Sequence, residues 1–154
     1  MIRTTLDTNI LASGAIARKG TIAKLFNRWR SSDFELVVSE RILVELERAL
    51  RQPYFASRLE QPDREDFVSL ILEFATVVEI SNLVPTSLPD VPDNVILATA
   101  LSGGASHLVS GDRALQRLGQ FQGVQILSAH QFLNLDRGRA GATPRDRTVK
   151  RSSR

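Results

Sequence analysis

The chain has 154 residues, 42% of them hydrophobic and 24% charged, which suits one domain with a core of ordinary globular composition. It contains no cysteine, which excludes disulfides and thiolate metal sites, and no apolar run approaches the roughly 20 residues of a membrane helix. The net charge of +3 is unevenly placed: residues 136–154 hold seven Lys and Arg against two acids, and the remaining body holds thirteen against fifteen. This predicts a domain over 1–135 and a basic, flexible tail over 136–154, a composition that either binds nucleic acid or stays a solvated end. Met1 leads straight into a β-branched run with no signal sequence ahead of it, so a cytoplasmic location is the expectation.

The first stretch, from Ile2, is apolar and β-branched and ends abruptly in Asp7, Thr8 and Asn9. It reads as a buried strand that delivers a carboxylate to its C-terminal end, the edge at which open α/β sheets bind ligands. Asn9 to Ala17, rich in small residues and interrupted by Gly14, predicts a short helix. Thr21 is placed to cap a second helix, in which Ile22, Leu25, Phe26 and Trp29 form one apolar stripe. Trp29 is therefore read as core packing and not as a base-stacking platform. Phe34 to Val38 predicts a second strand, apolar enough to lie inside a parallel sheet.

Ser39 then caps a helix running to about Arg51 and ended by Pro53, with Ile42, Leu43, Leu46 and Leu50 on its buried face. This leaves Glu45 on one shoulder beside Ala49 and Glu47 on the other. Periodicity does not choose between a cleft acid and a surface acid paired with Arg41, Arg48 or Arg51, a pairing worth a few tenths of a kcal/mol. Tyr54 to Leu59 predicts a helical turn or two, and Pro62 to Ala75 a longer helix with Phe67, Leu70, Ile71 and Phe74 inward. A third strand is expected over Val77 to Ile80, followed by a proline-rich loop from Leu83 to Pro92.

Asp93 or a neighbour opens a helix that is small or apolar nearly all round, terminated by Gly103 and Gly104. His107 to Val109 is the fourth strand and runs into Ser110, Gly111 and Asp112. Arg113 to Leu118 predicts a short helix, Val124 to Leu127 a fifth strand, and Ala129 to Leu135 a last helix capped by Ser128. Strands alternating with helices predict a three-layer α/β/α sandwich with a mainly parallel five-stranded sheet.

Acids at several strand ends and helix starts call for a common explanation. Two carboxylates about 4 Å apart repel by roughly 4 kcal/mol at an effective dielectric of 20, so a cluster needs protons or cations. Oxygen ligands without Cys or His favour Mg²⁺ or Mn²⁺, which polarise phosphoryl oxygens and activate water. His107 and His130 match no ligand spacing and are read as structural.

Four segments in order resemble the PIN-domain ribonucleases: Leu6-Asp7-Thr8-Asn9, Ser39 to Leu46 with Glu45, Asp93-Asn94 to Ala100, and Val109-Ser110-Gly111-Asp112. The resemblance covers about residues 1 to 135. It implies Asp7, Glu45, Asp93 and Asp112 as the catalytic, metal-holding acids, choosing Glu45 over Glu47 and Asp93 over Asp90. Thr8, Asn9 and Asn94 would steady the site, and Ser110 stands where the family often has Thr, keeping a hydroxyl. Asp90, an additional loop acid, is read as solvated or capping.

The overall look is of bacterial or archaeal PIN toxins. That implies an endoribonuclease using Mg²⁺ or Mn²⁺ on RNA, a small antitoxin whose tail enters the acidic cleft with an Arg or Lys, and homodimers. The alternatives are a PIN nuclease in housekeeping RNA processing and a PIN module that binds nucleic acid or protein without turnover. A haloacid-dehalogenase-type phosphatase also places an Asp after its first strand but needs a second Asp two residues on, where this chain has Asn9.

Overall fold

The computed structural model describes residues 1–80 and 91–140, without the side chains of residues 91–93 and 136–140. The elements run β1 (Ile2–Leu6), α1 (Thr8–Ile16), α2 (Gly20–Arg30), β2 (Phe34–Ser39), α3 (Glu40–Leu50), α4 (Pro53–Ala56) and α5 (Gln61–Phe74). They continue through β3 (Thr76–Val78), α6 (Val91–Ser102), β4 (His107–Val109), α7 (Arg113–Leu118), β5 (Gln120–Phe121), β6 (Val124–Leu127) and α8 (Ala129–Ala140). The strands form one sheet in the order β3-β2-β1-β4-β6-β5, parallel except where β5 returns against β6. The order β3-β2-β1-β4, with helices in every parallel connection, gives the expected α/β layering.

Strand β1 lies at the centre, paired with β2 on one side and β4 on the other. Burial follows from that position: Thr4, Thr5 and Leu6 are fully enclosed, as are Leu36, Val37, Val38, Leu108 and Val109 beside them. The amphipathic stripes close over this sheet. On α2, Leu25, Phe26 and Trp29 are buried, with Trp29 edge-on to Phe26 at 6.1 Å, so this tryptophan is core. On α3, Ile42, Leu43, Leu46 and Leu50 are buried, and Ser39 caps the helix by accepting from the Ile42 amide. At α8, Ser128 and Gln131 exchange hydrogen bonds at 3.1 and 2.9 Å, a reciprocal capping box.

Several expectations are corrected. The sheet has six strands, because the two-residue β5 forms a hairpin with β6 through Gln122 (φ 48°) and Gly123 (φ 89°). A two-residue turn with both φ positive matches the twist of antiparallel strands. Thr21 is not the cap of α2; the helix opens one residue earlier at Gly20, whose φ of 90° makes the turn, and Lys19 precedes it without a side-chain cap bond. Phe74 is 63% exposed and lines a surface recess with Met1, Trp29 and Phe34 instead of packing inward. Helix α8 reaches Ala140 rather than Leu135, and α6 starts at Val91. Asp90, the remainder of the expected loop and residues 141–154 lie outside the described residues.

His107 is buried, its Nδ1 2.7 Å from the Ser106 hydroxyl and its ring edge-on to Phe132. His130 is exposed beside Asn134 on α8.

Two features of the frame are testable. A Cβ on Gly14 would lie 2.2 Å from the Phe26 ring, so α1 approaches α2 only because residue 14 has no side chain. Gly14→Ala should cost about 1–3 kcal/mol in denaturant unfolding, the usual range for overpacking. Glu35 accepts from Thr76 of β3 and pairs with Arg3 of β1 at 3.2 Å, so it ties three strands together. The Thr76 hydroxyl, and then Arg3, hold its pKa below the ordinary 4.5. A depressed folded-state pKa adds stability above the unfolded value and loses it as pH falls through the folded one. Glu35→Gln should therefore lower the melting temperature at neutral pH, and the gap from wild type should narrow as the pH of the melts falls below the ordinary 4.5 and through the lowered folded-state pKa.

Candidate active site

The carboxyl ends of β1 and β4 are level, because Leu6 pairs with Val109 and the Asp7 amide donates to the Val109 carbonyl at 2.9 Å. The next residue on each strand is therefore forced into contact. Ser110, fully buried, donates its hydroxyl to Asp7 Oδ2 at 2.6 Å and accepts from the Asp112 amide at 2.9 Å. Its own carbonyl accepts from Gln116 Nε2 at 2.8 Å, which closes the loop onto α7. Asp112 caps α7 through Oδ1, which accepts from the Leu115 amide at 3.0 Å.

Glu45 comes from the other side. Helix α3 packs along α1, and Thr8 at the start of α1 donates its hydroxyl to Glu45 Oε1 at 3.3 Å. Glu45 is half-buried while Glu47 is exposed, away from this cleft. The cleft itself measures about 650 Å³ and is lined by Asp7, Thr8, Asn9, Glu45 and Asp112, with Arg48 and Gln52 on its α3 side.

The electrostatics follow the packing. Burial raises the pKa of Asp7 above its ordinary 3.8, opposed first by the Ser110 hydroxyl and then by the Thr8 amide; Asp112 raises it further and the Asn9 amide lowers it. Burial likewise raises Glu45 above 4.5, with Thr8 lowering it, Asp7 raising it, and Arg41 and Arg48 lowering it. Negative charge in this cleft is thus incompletely balanced by the protein. Glu45 Oε2 and Asp112 Oδ2 accept no hydrogen bond from the described residues, so one oxygen of each is open to a ligand.

Three of the four acids named from the sequence, Asp7, Glu45 and Asp112, line this one cleft. Asp93 lies in the first turn of α6, and its side chain is outside the described part. Asn94 follows it, half-buried, and its Oδ1 is enclosed with no hydrogen-bond partner among the described residues. Thr8 and Ser110 make the contacts described; Asn9 lines the cleft but is exposed. Among the described residues no group of three or more His, Cys, Asp or Glu is gathered closely enough to hold a metal ion. The all-oxygen donors, the open oxygens and the unbalanced charge fit a hard divalent cation in chemical type.

Sequence reading missed Arg48, Gln52 and Gln116. Helical periodicity offers Arg48 only as a surface partner for a glutamate, and nothing local marks Gln116 as the group that holds Ser110. It also missed the buried bond between Ser39 and Thr99, 2.8 Å between hydroxyl oxygens, which joins the start of α3 to α6.

Comparison with known proteins agrees with this architecture. A chain in the crystal structure of VapBC2 from Rickettsia felis, bound to a DNA fragment from its promoter, superposes with a TM-score of 0.54 over 81% of this chain and 97% of that one. At 13% identity the likeness is one of fold. No curated protein matches the chain by sequence. The family model for the PIN domain matches residues 3–114, a span that takes in β1, α3, α6 and the Ser110–Asp112 turn. The chain belongs to the PIN domain family, a family of nucleases.

Proposed function

We propose that the chain is an endoribonuclease that depends on Mg²⁺ or Mn²⁺ and acts as the toxin of a toxin–antitoxin pair. The observation that carries the nuclease reading is the convergence of Asp7, Glu45 and Asp112 on one cleft, with Ser110 bridging the two strand-end acids. Asp7, Glu45 and Asp112, with Asp93 from the start of α6, would hold the cation. When bound, the cation supplies charge for a phosphoryl oxygen and lowers the pKa of water. The chain's own groups do the remainder: Ser110 orients Asp7, Thr8 orients Glu45, and the cap bond from Leu115 fixes Asp112.

The toxin reading is supported by the fold shared with a chain of the VapBC2 assembly. A small partner protein, entering the acidic cleft with a basic side chain, and self-association into a homodimer belong to the same proposal, as does a cytoplasmic setting. No helix among the described residues is long and apolar enough to cross a membrane.

Cleavage of single-stranded RNA by the purified full chain should appear with Mn²⁺ or Mg²⁺, vanish with EDTA, and be absent in Asp7→Asn. Activity that survives EDTA, or that persists in Asp7→Asn, would sink the assignment. The same variant should melt at or above the wild-type temperature without metal, because it removes one of several like charges from a partly enclosed cleft. A marked loss of stability would make Asp7 a structural residue.

Ser110 gives a second handle. Ser110→Ala removes both bonds that hold Asp7 and Asp112 and should lower turnover about 10–100-fold, the usual effect of losing a group that orients a metal ligand. Ser110→Thr keeps the hydroxyl and should retain most of the rate. Equal losses in both variants would mean that side-chain volume, not the hydroxyl, is what the site requires.

A further inference from the structure

The division of charge into a slightly negative body and a positive tail hides a second asymmetry. From Thr8 to Ser32 the chain carries five cations, Arg18, Lys19, Lys24, Arg28 and Arg30, and no acid. These residues form α1 and α2, and α1 is also the wall of the acid cleft. Its first half, with Thr8, Asn9, Ile10 and Ser13, faces Glu45, Arg48 and Gln52. Past its last turn a second recess opens, about 490 Å³, lined by Ile16, Ala17 and Arg18 on one side and Arg58 and Leu59 on the other. Both recesses thus lie between α1 and the stretch of chain from α3 to the start of α5, one beyond the other.

The two arginines differ in how they are held. Arg58 is fixed: its guanidinium lies 3.9 Å from the centre of the exposed Tyr54 ring, and Nη1 donates to the Tyr54 carbonyl at 2.6 Å. Arg18 is exposed and makes no hydrogen bond or ion pair among the described residues. Among the described residues no acid lines the recess. A guanidinium already held in place, with an exposed one that has no bond among the described residues on the same recess and small and apolar side chains beside them, suits a phosphate group with its ribose.

We propose that the Arg18–Arg58 recess binds a backbone phosphate of the RNA strand whose scissile bond lies in the Asp7–Glu45–Asp112 cleft. This rests on the ribonuclease reading above and adds a path to it. The strand runs along α1, past Arg48 and Gln52, to the recess. Helix α1 has nine residues, so its ends are about 13 Å apart, and the recess meets a part of the strand separate from the reacting phosphate.

The test uses the full chain, so that the basic tail is present throughout. Binding of a fluorescent single-stranded RNA is titrated over a range of salt in the Asp7→Asn background, where the RNA stays intact. Each neutralised phosphate adds about 0.7 to the slope of log affinity against log salt for single strands, so Arg18→Ala with Arg58→Ala, which together empty the site of one phosphate, should weaken binding and flatten the slope by about 0.7. Arg117→Ala, an exposed cation on α7, should leave both unchanged. With Asp7 restored, the double substitution should also erase the preference in kcat/KM for a long RNA over a dinucleotide too short to reach the recess.

Arg58→Lys separates charge from structure, since it keeps the cation and gives up the planar stack on Tyr54. It should retain the parent slope; a slope as flat as that of Arg58→Ala would overturn the proposal. An unchanged slope in the double variant would overturn it too, as would loss of binding to polyglutamate with RNA binding intact, which would make the recess a protein-docking site. A wild-type chain that neither binds nor cleaves RNA would instead bring down the ribonuclease reading itself.

Discussion

The hydrogen bond from the Asp7 amide to the Val109 carbonyl sets the register on which the site depends. It extends the β1–β4 pairing by one step beyond Leu6 and brings two chain segments about a hundred residues apart to the same height. Ser110 then cannot avoid Asp7. The Ser110 amide continues outward to the Leu127 carbonyl, so the strand end that presents its hydroxyl is held on both sides. A slip of one residue between β1 and β4 would turn Leu6 or Ser110 to the other sheet face and take the site apart. The burial that makes this register secure is also what raises the pKa of Asp7, so the stability of the sheet and the discomfort of its acid have one origin.

Asp7 and Asp112 both precede helices, yet they are used differently. Asp112 spends Oδ1 on the Leu115 amide in an ordinary cap, which immobilises it while leaving Oδ2 open. Asp7 makes no side-chain cap bond to α1, although the Thr8 and Asn9 amides lie near enough to lower its pKa. Its carboxylate is aimed by Ser110 instead. Helix α1 thereby goes without the modest stabilisation of a side-chain cap, on the order of 1 kcal/mol, and the cleft gains a carboxylate that local helix chemistry does not claim.

What could be read from the sequence was whatever repeats at short range. The runs at Ile2, Phe34, His107 and Val124 gave four strands within a residue or two, and the stripe on α2 identified Trp29 as core. The choice of Glu45 over Glu47 came only from family resemblance, and the reason is physical: Thr8, thirty-seven residues away, reaches Glu45, a contact that no helical wheel contains. The hairpin of β5 escaped because two residues carry no alternation. Phe74 misled because a helical stripe reports direction around an axis and says nothing of where the supporting sheet stops. A net charge summed over the whole body conceals the stretch from Thr8 to Ser32, which has no acid in it.

On the proposed ribonuclease reading, that stretch bears on how an acidic cleft would accept a polyanion. Asp7, Glu45 and Asp112 repel phosphate, and Arg41 and Arg48 offset only part of that on Glu45. A cation placed beside Asp7 would neutralise the acid as an ion pair and compete with any divalent ion there. A cation far along the same wall does neither. Helix α1 carries Asp7 at its head and Arg18 just past its foot, roughly 13 Å on, which exceeds the screening length of about 8 Å at physiological ionic strength. On the proposed reading, the acids could then hold a divalent cation while the arginines hold an anion. One nine-residue helix, made thin enough by Gly14 to lie against Phe26, holds the two requirements at a distance where neither cancels the other.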